Sequence, residues 1–126
     1  MKKIKTCFVI MDYSVASKYN LEMAKRLFNK VYAVSLFSKR SDIDVEQFVF
    51  RRSGKEDKFF KEVGEFIKKI AEEKDIINYI VFLPFSYNQK ERFLEVNKMF
   101  SSMGIRNEAP SKGLSDYRLV RIVEGY

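Results

Sequence analysis

The chain has no histidine and a single cysteine. Without imidazole, Ser-His-Asp and Cys-His nucleophilic sites are excluded, and general-base work would fall to a carboxylate, a lysine or a tyrosine. A Cys/His zinc site is excluded by the same absence. Cys7 sits inside the first apolar run with no second cysteine, so any disulfide would join two chains; a reducing, cytoplasmic setting is expected. No apolar run approaches the ~20 residues of a membrane span, and MKKIKTCFVIMDYS lacks the long apolar region and small-residue cleavage site of a signal peptide. No membrane partner is expected. Gly-x-Gly-x-x-Gly does not occur, and RRSGKEDK carries Gly-Lys without the upstream glycine or the Ser/Thr of a P-loop. A dinucleotide-binding enzyme is therefore disfavoured. Repeats, low-complexity tracts and Gly/Ser linkers are missing as well.

What is present is one domain's worth of chain. The 126 residues suit a single α/β domain over 1–126, long enough to bury about two-thirds of its unfolded surface without metal or disulfide support. TCFVIM (6–11), VYAVSLF (31–37) and INYIVFLPF (77–85) are near-continuous apolar runs, as in strands buried on both faces. EQFVFRR (46–52) and YRLVRIVE (117–124) mix charge with apolar residues and suit sheet edges. Three amphipathic helices are predicted. The first covers 16–29, with Ser14, Ser17 or Asn20 as its cap. The second, over 57–74, buries Phe59, Val63, Phe66 and Ile70. In the third, Asn88 stands three before Glu91 as in a capping box, and Gly104 is placed for a left-handed end. RNEAPSKGLSD (106–116) concentrates turn-forming residues and reads as the flexible segment.

Strands separated by helices predict a three-layer, Rossmann-like, mostly parallel sheet of about five strands with three helices. The alternative is a two-layer ferredoxin-like α+β fold, because KRSDIDV is a short link that would suit an antiparallel hairpin. In the Rossmann-like arrangement ligands bind beyond the carboxyl ends of the strands, where the strand order reverses. Asp12-Tyr13-Ser14, with Ser17, and Ser86-Tyr87-Asn88 would face each other there if the first and fourth strands are neighbours. Each triplet leads into a helix N-terminus whose amides can meet an anion, and each is also made of residues that cap helices and form turns.

Charge suggests a polyanionic partner. Lys and Arg number 24 against 17 Asp and Glu, a net of +7. Lys39 and Arg40 follow the second apolar run, Arg51 and Arg52 end the next, and Lys55 comes just after. Gathered on one rim beside Tyr13 and Tyr87, they suit phosphate contact and base stacking. The leading expectation is a small basic module that binds nucleic acid or another phosphate-bearing ligand, with no cofactor and no chemistry of its own. A metal-dependent phosphoryl-transfer enzyme is the alternative, with Asp12, Asp42 and Asp44 converging on Mg²⁺. A strand-end acid paired with Asp-x-Asp resembles the pattern of Toprim-type nuclease domains, with Asp here in place of Glu and no apolar strand leading directly into the Asp-x-Asp. A third reading is a homodimeric interaction subunit pairing through an edge strand such as RLVRIVEGY.

Overall fold

A computed structural model describes residues 3–51 and 58–112. Its sheet runs in the order β3-β2-β1-β4-β5. The strands are β1 (Thr6–Met11), β2 (Lys30–Leu36), β3 (Glu46–Phe50), β4 (Tyr79–Phe82) and β5 (Asn107–Glu108). Every neighbouring pair is parallel. Three α-helices connect them: α1 (Val15–Leu27), α2 (Phe59–Glu73) and α3 (Lys90–Ser102).

Alternation along the strands divides the core in two. Phe8 and Ile10 of β1 and Tyr32, Val34 and Leu36 of β2 point to the face covered by Val63 and Ile67 of α2 and by Phe93, Val96 and Phe100 of α3. Cys7, Val9 and Met11, with Val31 and Ala33, point to the face covered by Leu21, Met23 and Ala24 of α1. Both faces are thus covered, which is why the inner strands read as unbroken apolar runs. The result is a Rossmann-like three-layer α/β sheet. Burial raises the Cys7 thiol well above its ordinary range, leaving it inert in the core.

The ferredoxin-like alternative is overturned at the link between β2 and β3. Tyr32 pairs with Glu46 and Leu36 with Phe50, in parallel. The intervening residues 37–45 contain no helix and are fewer than the roughly dozen that a parallel crossover usually takes. They work as a strap because Ile43 and Val45 pack into the α1 layer where a crossover helix would lie. The Lys25–Asp44 ion pair, at 2.8 Å, joins α1 to the same strap.

Other expectations shift in detail. The fifth strand is Asn107–Glu108, inside the stretch read as flexible, while the expected strand at 117–124 lies outside the described residues. On α2 the fully buried residues are Val63 and Ile67, whereas Phe59, Phe60 and Phe66 are half-buried around them. Gly64 lets α2 approach α3, since a Cβ there would meet Met103 Cε at 3.0 Å. The capping box before α3 is formed by Ser86 and Gln89, on a 3-10 turn at Tyr87–Gln89, instead of Asn88 and Glu91. Gly104 adopts φ 77 as expected and ends α3 in a left-handed turn. No helix among the described residues is long and apolar enough to cross a membrane.

Candidate functional site at the carboxyl edge of the sheet

The strand order reverses between β1 and β4, which pair directly, so the two polar triplets do leave adjacent strands. A 3-10 turn at Pro110–Lys112 packs against α1 on one side and against the Tyr87–Gln89 turn on the other. Ser111 fastens it by donating to the Phe85 carbonyl at 2.8 Å.

Within the first triplet Asp12 and Ser14 bond within the turn and the helix cap. Asp12 Oδ1 accepts from the Ser14 amide at 3.0 Å and from the Ser14 hydroxyl. Ser14 is the cap of α1, its Oγ accepting from the Ser17 amide at 3.1 Å. Ser17 is fully buried, and its hydroxyl donates back to the Ser14 carbonyl at 2.9 Å. Asn20, proposed as a cap, is instead buried in the body of α1 and donates to the Leu83 carbonyl at 2.9 Å. In the second triplet, Ser86 Oγ donates to Asn88 Oδ1 and the Ser86 amide donates to Gln89 Oε1 at 3.0 Å, while Tyr87 is 77% exposed. These contacts predict a stability role with a clear signature. Ser14→Ala will cost about 1 kcal/mol by removing the cap, whereas Asp12→Asn keeps an acceptor oxygen and will melt within a few degrees of the parent, with or without Mg²⁺. A thermal melt of each variant checks this. An Mg²⁺-dependent rise in the parent, lost in Asp12→Asn, would contradict it.

The three carboxylates do not converge. Asp42 accepts the Arg40 fork, with Nη2 at 3.0 Å from Oδ2, and Asp44 accepts from Lys25. The Arg40 hydrogen bonds hold the Asp42 carboxyl below its ordinary range; Lys25 does the same for Asp44, which raises the Lys25 ammonium in return. The carboxylates of both pairs face solvent, so the pairs position side chains more than they stabilise the fold. Among the described residues no group of three or more carboxylate or thiol ligands is placed to hold a metal ion.

What the edge does assemble is a rim of aromatic and cationic side chains. In spatial order, β3 exits into Arg51, β2 into Phe37 and β1 into Tyr13, with Tyr87 beyond β4. Tyr13 and Phe37 are 57% and 48% exposed, and their backbones lie at φ 71 and φ 76. The left-handed region is disfavoured for bulky residues, at a cost on the order of 1–3 kcal/mol each, and persists only where surroundings enforce it. Here they do. The Phe37 amide donates to the Phe50 carbonyl at 2.8 Å, its own carbonyl accepts from Arg51 Nη1 at 3.1 Å, and its ring stacks on Phe59 at 5.7 Å. The Tyr13 hydroxyl bonds Ser38 Oγ, and the Arg40 guanidinium lies 4.6 Å from the Tyr13 ring centre.

Arg40 is consequently a brace. Its side chain is only 12% exposed. Gln47 of β3 holds its backbone from both ends, accepting the Arg40 amide at 2.9 Å and donating to its carbonyl at 2.8 Å, and also accepts from the buried Ser35 hydroxyl. Lys39 and Arg51 are exposed. Arg52 and Lys55 lie outside the described residues. Sequence reasoning missed Phe37, which closes an apolar run and was read as its last strand residue; the signal available was its position directly before Ser-Lys-Arg. It also missed Gln47, whose role depends on a strap invisible to periodicity.

A cavity of about 500 Å³ lies at the opposite end of the sheet, bordered by Lys3, Lys5, Asp75 and Ile77. It borders the start of β1 and the approach to β4, away from the strand exits where parallel sheets take ligands. No protein-family model matches the chain, and no curated protein matches it either.

Proposed function

We propose that this chain is a small basic binding module that takes nucleic acid on the rim formed by the exits of β1, β2 and β3, without chemistry of its own. One observation carries this reading: exposed rings and exposed cations share one sheet edge, with Tyr13 after β1, Phe37 and Lys39 after β2 and Arg51 after β3. The net charge of +7 supports it, since displacement of counterions from phosphates drives sequence-independent association. Arg40 contributes by holding Tyr13 in place, with its Nε and Nη2 bonded to Asp42 and its guanidinium against the ring.

Fluorescence anisotropy with labelled oligonucleotides at several salt concentrations tests the reading. Binding at low salt is expected, with affinity falling linearly on logarithmic axes as salt rises and with little dependence on base sequence. Absence of binding at low salt would remove the reading.

A further inference from the structure

Resting on the rim reading, we infer that the ligand is single-stranded nucleic acid, with unpaired bases stacking on the outer faces of Tyr13 and Phe37. Each ring is backed on one side by a neighbouring side chain. Arg40 covers one side of Tyr13 at 4.6 Å, and Phe59 covers one side of Phe37 with only 13° between the planes. About half of each residue remains exposed. A ring held in this way loses little freedom when a base settles on it. Phe59 in turn packs edge-on against Phe50 at 5.6 Å and Phe60 at 5.1 Å, so the Phe37 platform is anchored in the core. The Tyr13 hydroxyl bond to Ser38 ties the first ring to the residue following the second, making one surface of both.

That arrangement selects against a duplex. In a duplex each base face is covered by stacking on the neighbouring base pair, so a protein ring meets a base face along the strand only where bases are unpaired and unstacked. Both exposed cations lie close to Phe37 in the chain or by hydrogen bond, Lys39 two residues after it and Arg51 bonded to its carbonyl at 3.1 Å, so a backbone passing over that ring would run beside them. Stacking tolerates any base, so little sequence preference is expected.

The test compares three ligands of equal length: an oligothymidine, the corresponding strand carrying abasic sites, and a blunt duplex. The oligothymidine is expected to bind at least about tenfold more tightly than the abasic strand, whose phosphates are the same. Tyr13→Gly, which suits the φ of 71, and Phe37→Ala will each lower oligothymidine affinity by about tenfold and leave abasic-strand affinity unchanged. Phe37→Trp supplies a second readout. The chain has no tryptophan, so the new indole reports alone, and the oligothymidine but not the abasic strand will quench it. Equal affinity for intact and abasic strands, equal or tighter binding of the duplex, or an unquenched indole at saturation would each overturn the stacking inference while leaving the rim as a polyanion site. Failure to bind all three ligands would overturn both.

Discussion

Phe8→Ala lowers the free energy of unfolding by about 3 to 5 kcal/mol. Phe8 lies on β1, the central strand of the sheet, and is fully buried. Its ring stacks on Tyr32 at 5.3 Å and meets Tyr79 edge-on at 5.2 Å, so truncation opens a cavity and removes two aromatic pairs together. Folded domains are stable by only about 5 to 15 kcal/mol, so the melting temperature will fall by roughly 10 °C or more. Phe66→Ala is the internal contrast, since Phe66 is only half-buried at the margin of the same cluster and packs on Phe50 at 5.5 Å. Denaturant melts of both variants measure the difference. A loss below about 1 kcal/mol for Phe8, or a larger loss for Phe66, would contradict the placement of the core.

The second large effect concerns binding. Replacing Lys39 and Arg51 together by Ala will weaken nucleic-acid affinity across sequences and flatten the salt dependence by about 0.7 in logarithmic slope for each single-strand phosphate contact removed. Phosphate contacts carry no base information, so discrimination between sequences will not change. The fold will tolerate the change, because Lys39 is exposed and Arg51 contributes one exposed hydrogen bond to the Phe37 carbonyl. Some of the effect will arise from Phe37 losing that restraint, which Arg51→Lys with Lys39 intact separates, since it keeps the charge without the same reach. An unchanged salt slope in the double variant would move the phosphate footprint off this rim.

Much of the architecture was legible from residue patterns. TCFVIM was read with the bounds that β1 adopts, and the amphipathic stripe of α2 and the left-handed end at Gly104 were visible for the same reason: each is a local signal repeated over several residues. β5 was not legible, because two polar residues have no periodicity. Asn107 and Glu108 are buried there through pairing with Val81 and Phe82, and Asn107 is satisfied by Asn97 Nδ2 at 2.7 Å and by the Ile105 carbonyl. The short link KRSDIDV kept a hairpin open as the alternative, since its length says nothing of which layer Ile43 and Val45 will enter.

The site was legible in part. Strand adjacency brought Asp12-Tyr13-Ser14 beside the exit of β4, as the topology required, but the chain's own Pro110–Lys112 turn packs against both α1 and the Tyr87–Gln89 turn there. Ser14 and Ser17 proved to be turn and cap residues, consistent with the local hydrogen bonding their side chains favour. The rim emerged instead from a backbone property that residue types do not announce. Tyr13 and Phe37 both take left-handed φ, and a sequence pattern would assign that region to Gly, Asn or Asp.

Amide NMR of the isotope-labelled protein during titration with oligothymidine at low salt tests most directly whether the carboxyl edge is the binding surface. The expected result is a set of shifts centred on Tyr13, Phe37, Ser38, Lys39 and Arg51, saturating together and weakening as salt is added. Shifts centred on Lys3, Lys5 and residues 75–78 at the opposite end of the sheet, or no shifts at all, would contradict it.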